Sequence, residues 1–388
     1  MKNKEKQIKI LRIISRMNVG GPSKHVVNLA EGLNKFNCKT LLISGQPGKS
    51  EGDMFYLADN KHFCLKKIEY LKRPVSVIYD LISFIKIVKE IKDFSPDIVH
   101  THTTKAGILG RAAALVCGVP KIYHTYHGHV FKGYFSKFQT SLIIAIERFF
   151  SAFSTKLIAL TPNLASELNH ILRIKDSEKI SVVPLGLDLV PYLSTPRKTN
   201  IWHKSEGFNE KDFVIGIVAR LVPVKNHKML INSMERLCSI FPNLHLAVIG
   251  NGELEEELKK QTENLGLSGH IHFCGISEKL ENIYSDLDLL VLCSKNEGTP
   301  VVIIEALAAG CPVAAVDVGG VREVLENGKS GRLLPSEPEL FTKALANAIS
   351  DIKEGKFKEY PTDITRQTIA QTYSVDNLVK NIFELYAA

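Results

Sequence analysis

The chain has 388 residues, 45% of them hydrophobic and 23% charged, which excludes disordered and low-complexity architectures and leaves room for two cores. Its net charge of +8 comes from 49 basic and 41 acidic side chains, short of the charge density of a histone-like nucleic-acid binder. The seven cysteines form no Cys-x-x-Cys pair, so neither a disulfide framework nor a cysteine zinc site is expected, and a reduced cytoplasmic setting fits.

The charge is unevenly divided. Residues 1–190 carry 28 basic and 15 acidic side chains, a balance of +13, whereas residues 191–388 carry 21 and 26, a balance of −5. An anionic partner for the first half follows from that asymmetry. The charged start, Met1 to Lys6, runs into Ile8–Ile14, which Lys9 and Arg12 interrupt too soon for a signal peptide. No apolar run approaches the ~20 residues that span a bilayer.

In chain order, strand patterns are predicted at Ile8–Ile14, Lys39–Ile43, Asp97–Thr101, Lys121–His124, Leu157–Leu160 and Ile180–Val183. Amphipathic stretches lie between them at 22–36, 76–93, 104–117, 137–153 and 162–172. Such alternation predicts a parallel sheet with helices on both faces. Pro184 to Asn209, with Pro191, Pro196, Gly186 and Gly207 and no clear period, reads as a linker. The grammar then repeats, with strands at Phe213–Ala219, His245–Ile249, Ile271–Phe273, Leu289–Leu292, Val313–Val316 and Gly331–Leu334. Helices are predicted at 226–239, 253–265, 300–309 and 337–351, and the tail after Tyr373 is again helical.

The loops after strands carry the chemistry. Gly20-Gly21-Pro22-Ser23 follows the first strand and opens a helix, where backbone N–H groups can meet a ligand. The dinucleotide fingerprint Gly-x-Gly-x-x-Gly is absent. Arg220 and Lys225 follow the first strand of the second half and suit a diphosphate, whose charge needs compensation as it grows on a leaving group. Most specific is Asn296-Glu297-Gly298-Thr299-Pro300 running into Val301 to Ala306. Thr299 is the expected N-cap and Pro300 the first helical residue, with Glu297 in the loop and Glu305 inside an otherwise apolar helix. A carboxylate there needs hydrogen-bond partners, such as a ribose diol. The turns at Gly250-Asn251-Gly252 and Gly319-Gly320 sit on the same edge, which suggests a nucleotide or sugar-nucleotide site.

Histidines 100, 102, 124, 127 and 129 gather in the first half. Residues i and i+2 of a strand share a face, but Asp97 is the only nearby acid and belongs to the other face, so no metal site is expected. His127 reads as a loop residue contacting a hydroxyl or a sugar, and His100, His102 and His124 as hydrogen-bonded residues near strand ends. Phe138, Leu142, Ile146, Phe149 and Phe153 form one helical stripe that reads as core. The alternative places its start, Phe131 to Lys137, against a bilayer or a lipid acceptor, as aromatics beside lysines favour an interface.

These motifs together resemble glycosyltransferase family 4, retaining enzymes of the GT-B fold, over nearly the whole chain. The resemblance rests on the Gly20-Gly21 loop, Pro96-Asp97-Ile98-Val99-His100-Thr101-His102, Thr125-x-His127-Gly128, Pro184-Leu185-Gly186-Leu187-Asp188, Arg220 with Lys225, Gly250-x-Gly252, Glu297-x7-Glu305 and Gly319-Gly320-x-x-Glu323. Two positions depart from the pattern: Leu185 stands where the family has asparagine, and Ala219 where a glycine precedes the arginine. His127 to Phe131 with Gly133-Tyr134-Phe135 resembles members that assemble bacterial surface polysaccharides.

The resemblance implies an α/β architecture of two Rossmann-like domains facing across a cleft, with 1–190 binding acceptor, 191–372 binding nucleotide-sugar, and 373–388 a helix crossing back to the first domain. It implies that Arg220 and Lys225 hold the donor diphosphate, Glu305 the ribose, and Glu297 with the amides of Gly298 and Thr299 the sugar and phosphate. Gly21, Gly250 and Gly252 would line the donor, and His127 would touch the donor sugar near the acceptor. No metal, cofactor or nucleic acid is expected. The expected reaction moves a sugar from a nucleotide-diphosphate donor, a UDP-sugar such as UDP-GlcNAc or a UDP-hexose, to a hydroxyl of a lipid-linked glycan in polysaccharide biosynthesis. The expected setting is cytoplasmic, with peripheral association at the anionic inner face of the membrane. The alternatives are transfer to a small soluble acceptor (a secondary metabolite or thiol precursor) and a sugar-nucleotide epimerase.

Overall fold

The computed structural model describes residues 7–18, 20–48, 52–72, 74–128, 137–359 and 361–388. His129 to Ser136, which include the aromatic-basic start of the proposed interface, lie outside the described residues. Two compact units divide the chain: residues 1–187 with 373–388, and residues 188–372.

In the first unit, strands β1 (Ile8–Ile14), β2 (Cys38–Ser44), β3 (Cys64–Lys67), β4 (Ile98–His102), β5 (Lys121–Tyr126), β6 (Lys156–Ala159) and β7 (Ile180–Val182) form one parallel sheet. Their order is β3-β2-β1-β4-β5-β6-β7, so the winding reverses between β1 and β4. Helices α1 (Gly21–Gly32), α2 (Val77–Phe94), α3 (Thr104–Val116), α4 (Lys137–Phe153) and α5 (Pro162–Leu172) make the crossovers. The strands alternate sides as a period of two requires. Leu11, Ile13, Leu41 and Val99 face Ile87, Ile91, Ala106 and Ala113 of α2 and α3, whereas Ile10, Ile98 and Ile158 pack with Leu29 of α1 and Leu33 just after it.

The second layer is completed by the chain's last helix, Val375–Ala387, whose Leu378, Val379, Ile382 and Tyr386 join that cluster. Its approach needs Gly186, where a Cβ would lie 2.7 Å from the Cβ of Leu378 and 3.0 Å from the Cα of Val375. The closure is also polar. Arg12 is fully buried and donates to His100 Nδ1 (3.0 Å) and to the Tyr386 hydroxyl (3.0 Å), and that hydroxyl sits 2.6 Å from His100 Nδ1. Arginine only donates, so Nδ1 accepts and His100 carries its proton on Nε2, 2.7 Å from Thr125 Oγ1.

Helix α4 reverses the expected stripe. Phe138, Leu142, Phe149 and Phe153 are exposed, and the buried positions of the helix are Glu147, Phe150 and Ser151. The cause is a charge: Arg111 Nη2 of α3 donates to Glu147 Oε2 at 2.7 Å, both side chains 1% exposed, and Tyr126 Oη donates to the same oxygen at 2.6 Å. Burying that pair turns the phenylalanines outward.

The second unit starts with α6 (Val190–Ser194) and α7 (Ile201–Ser205), so the region read as a linker is packed structure. Asp286 organises it, accepting from the N–H groups of Asn200 (2.8 Å), Trp202 (2.9 Å) and His203 (3.2 Å) and from the Thr199 hydroxyl (3.0 Å). Strands β8 (Phe213–Val218), β9 (Leu244–Ile249), β10 (Ile271–Gly275), β11 (Leu289–Leu292), β12 (Val313–Val316) and β13 (Arg332–Leu334) form a parallel sheet in the order β10-β9-β8-β11-β12-β13. Around it run α8 (His227–Ile240), α9 (Glu255–Asn264), α10 (Leu280–Asp286), α11 (Val301–Ala308), α12 (Val321–Val324), α13 (Pro338–Lys353) and α14 (Asp363–Tyr373); Val375–Ala387 of the first unit is α15. Ile215, Ile217, Leu246, Val291 and Leu289 anchor its core against α8 and α13. Among the described residues, no helix is long and apolar enough to cross a membrane.

Candidate active site

Open parallel sheets bind ligands at the carboxyl ends of their strands, where the winding reverses. In the second unit that point lies between β8 and β11. Ala219 to Lys225 leave β8, and Cys293 to Pro300 leave β11. The Lys295 N–H donates to the Val224 carbonyl (2.8 Å), which ties the two loops together. Lys225 Nζ then donates to Glu297 Oε1 at 2.6 Å, with the glutamate side chain 9% exposed. Arg220 is exposed, and among the described residues no carboxylate pairs with it. One cation is pinned and the other is free to meet an anion.

Glycines set these loops by close backbone approach. A Cβ on Gly319, which has φ +55°, would lie 1.8 Å from the Glu297 carbonyl oxygen. The next N–H, of Gly320, donates to the Gly298 carbonyl (3.0 Å). Gly250 and Gly252 press likewise on the Ala219 and Leu221 carbonyls, where Cβ atoms would stand at 2.1 and 2.4 Å. All four glycines therefore fix the Arg220 and Glu297 loops by backbone-to-backbone contact. Thr299 does not cap the following helix: α11 begins at Val301 with Pro300 at the N-cap and no side-chain cap. Its first N–H groups, at Val301 and Val302, have no partner within the helix and are available to an acceptor.

Glu305, in the middle of α11, is 3% exposed. Tyr284 Oη of α10 donates to its Oε2 at 3.1 Å, and the Tyr192 hydroxyl of α6 also bonds to it. Burial pushes both phenols far above their ordinary value, and the negative charge of Glu305 adds to the shift. Two tyrosines thus hold the Glu305 carboxyl, and neither stands in a motif legible in the sequence.

In the first unit the winding reverses between β1 and β4. Gly21 is the first residue of α1, just after β1. His102 ends β4 and His127 follows β5, with His102 Nδ1 3.1 Å from His127 Nε2. Thr103, after His102, has φ 66° and ψ 155°, a conformation costing on the order of 1–3 kcal/mol that clusters at functional sites. Ser15 holds it there, its N–H 3.2 Å and its hydroxyl 2.6 Å from Thr103 Oγ1. His124 is taken by Thr101 (2.8 Å) and His100 by Thr125, and Asp97 accepts from the Lys9 N–H (2.9 Å), away from the histidines. Burial depresses the imidazoles of His25, His100, His102 and His124 well below their usual value and brings His127 to about 4, so all are neutral at pH 7. His25 of α1 also belongs to this edge, though the sequence analysis did not select it. Its signal was its place one turn after Gly21.

Residues 19–190 match the family model described as Glycosyltransferase Family 4, and residues 198–368 match that of Glycosyl transferases group 1. The chain is 31% identical over 320 residues, 81% of each protein, to the UDP-Gal:alpha-D-GlcNAc-diphosphoundecaprenol alpha-1,3-galactosyltransferase of Escherichia coli. It is 25% identical to the putative glycosyltransferase EpsF of Bacillus subtilis, covering 98% of this chain and 96% of that one. The crystal structure of Anabaena HepE in complex with UDP superposes with a TM-score of 0.81 at 20% identity, covering 98% of this chain and all of HepE. Two doubly wound parallel-sheet units with these matches define a glycosyltransferase of the GT-B class. The chain belongs to glycosyltransferase family 4.

Proposed function

We propose that the protein is a retaining transferase that moves a sugar from a UDP-sugar donor, a UDP-hexose or UDP-GlcNAc, to a hydroxyl of a lipid-linked glycan. The observation that carries this is the Lys225–Glu297 pair at the switch point, formed by two loops. One of them also carries Arg220, unpaired among the described residues, and the other leads into α11 with its buried Glu305. Arg220 and Lys225 compensate the charge that grows on the departing diphosphate, Glu305 receives the ribose hydroxyls, and Glu297 with the first amides of α11 meets the sugar and its phosphate. The Escherichia coli relative is named for a UDP-galactose donor and a diphosphoundecaprenol-linked acceptor, and HepE has been solved with UDP-glucose; both favour this choice.

At the first unit's switch point the gathered groups are imidazoles, which as neutral rings exchange hydrogen bonds with sugar hydroxyls. We infer attack on the same face as departure. The acceptor oxygen bonds to the anomeric carbon as the carbon–phosphate oxygen bond breaks, and the acceptor proton passes to the leaving phosphate. Incubation with UDP-sugars and a diphosphoprenyl-linked sugar, followed by NMR of the product's anomeric proton, tests this. Retention is expected, and inversion refutes the mechanism. Arg220→Ala and Glu297→Ala at wild-type rate would refute the site.

A peripheral membrane location has its own support. Val77, Ile78, Leu81 and Ile85 of α2 and Phe138, Leu142, Phe149 and Phe153 of α4 are all exposed, on helices that both flank α3 in the unit whose sequence carries the charge excess. Exposed apolar rows with Lys86, Lys89 and Lys92 suit the surface of an anionic bilayer. Co-sedimentation with anionic vesicles, weakening as salt rises, is the expected outcome, and no binding at low salt excludes it.

A further inference from the structure

Three elements of the first unit, α1, the end of β4 and the exit of β5, bring His25, His102 and His127 together, and one ring nitrogen from each lies within 4.8 Å of the others. The ring centroids stand 5.7 Å (His25 to His102), 5.0 Å (His25 to His127) and 5.3 Å (His102 to His127) apart. His25 is 3% exposed and His102 fully buried. Among the described residues, neither ring nitrogen of His25 has a hydrogen-bond partner, nor does Nε2 of His102. Each unmet nitrogen costs about 1–3 kcal/mol, a cost that buried polar groups in native proteins rarely carry without a reason.

Chemistry narrows the occupant. The cluster offers neutral imidazole lone pairs, the donor set of zinc, copper and nickel rather than of magnesium or calcium, which take oxygen. Around a tetrahedral zinc with Zn–N bonds of about 2.0–2.1 Å, ligand nitrogens stand roughly 3.3 Å apart. The 3.1 Å between His102 Nδ1 and His127 Nε2 is close to one such edge. Three histidines plus an outside ligand complete four-coordination.

We propose that His25, His102 and His127 form a site for a divalent transition metal of the zinc class, and that its occupancy withdraws His127 from the sugar and inhibits transfer. The inhibitory half rests on the proposed contact of His127 with the donor sugar; the metal-binding half does not. Ligation replaces the His102–His127 hydrogen bond with two metal–nitrogen bonds and engages a His25 nitrogen that is otherwise unmet. No step of the transfer reaction passes through the ion.

Equilibrium dialysis of the full chain against Zn2+, with Co2+ titration followed by its tetrahedral visible band, tests the site. One ion per chain is expected, with affinity weakened about tenfold or more in both His25→Ala and His102→Gln and retained in His62→Ala, an exposed control. Thermal melts establish that each variant is folded. No saturable binding, or binding unchanged in both site variants, overturns the site. In parallel, transfer is measured after EDTA treatment and then with added Zn2+. Inhibition in wild type that shifts at least tenfold in His25→Ala supports the second half. Stoichiometric binding without inhibition overturns that half and with it the role given to His127. Absence of transfer in EDTA, with zinc still bound, counts against the proposed function and leaves the metal site standing.

Discussion

Replacing Glu305 with glutamine separates nucleotide binding from folding. The side chain is 3% exposed and bonded to Tyr284 and Tyr192, so the amide keeps its volume and two polar atoms for those hydroxyls. An isosteric amide that keeps both tyrosine partners is expected to leave stability within about 1 kcal/mol, the scale of one net hydrogen bond. Binding behaves differently if Glu305 holds the ribose. Hydrogen bonds to a charged group contribute ~1.5–3 kcal/mol and neutral ones ~0.5–1.5, a loss of about 1 kcal/mol per bond. Two ribose hydroxyls make that about 2 kcal/mol, or roughly thirtyfold weaker UDP binding. Glu305→Ala instead strands both tyrosine hydroxyls and is expected to cost about 2–5 kcal/mol of stability as well. Titration calorimetry with UDP, alongside urea unfolding, measures both. UDP affinity within threefold of wild type in a normally folded Glu305→Gln variant refutes the ribose assignment.

Glu147→Ala leaves Arg111 buried without its counter-ion and is expected to cost about 3–5 kcal/mol in urea unfolding, whereas the apolar combination Arg111→Met, Glu147→Leu and Tyr126→Phe restores most of it. Gly319→Ala, with a Cβ 1.8 Å from the Glu297 carbonyl, displaces that loop; kcat/KM should fall about a hundredfold, since displacements near 1 Å have that effect, and an unchanged value contradicts the positioning argument. His227 is 1% exposed with neither nitrogen bonded, and burial, then the Lys225 charge, hold its pKa at about 4. The unfolded ring titrates near 6.5, so between those values the unfolded state holds more protons and stability falls as pH drops from 6.5 to 4, by on the order of 3 kcal/mol. His227→Leu should lessen the slope there by one proton's share without loss at pH 7, the other buried imidazoles keeping theirs, and an unaltered slope disproves the assignment.

The repeated strand–helix pattern made both sheets legible, because buried parallel strands are apolar runs long enough to see. β3 was missed: Cys64–Lys67 is an edge strand of exposed and half-buried residues with no apolar run. The boundary between the units falls inside the stretch read as a linker, but its two short helices were not legible, because Asp286, about 85 residues away and silent in local pattern, holds them. The α4 stripe was misread for a similar reason, since only the tertiary partner Arg111 makes Glu147 an interior residue. Arg220, Lys225, Glu297 and Glu305 could be picked out because loops after parallel strands converge by topology. Tyr192 and Tyr284 could not, because their roles are defined by neighbours from other elements, and His25 was signalled only by its place one turn after Gly21.

The two switch points follow one topology but gather opposite chemistry, and that difference bears on the division of labour proposed for them. Around β8 and β11 the groups are ionic, a lysine locked to a glutamate beside an unpaired arginine, which is what a diphosphate of growing charge requires. Around β1 and β4 five buried imidazoles are held neutral beside one buried cation, Arg12, and hydroxyls of threonine, serine and tyrosine bond to them or to the strained Thr103 between them. Neutral donors and acceptors recognise sugar hydroxyls without competing for phosphate. On α2, the helix proposed to meet anionic lipid, exposed Lys86, Lys89 and Lys92 accompany the exposed apolar residues. Reversing those three lysines to glutamate should abolish vesicle binding while leaving UDP affinity unchanged, and a fall in both would show that the charge serves the donor instead.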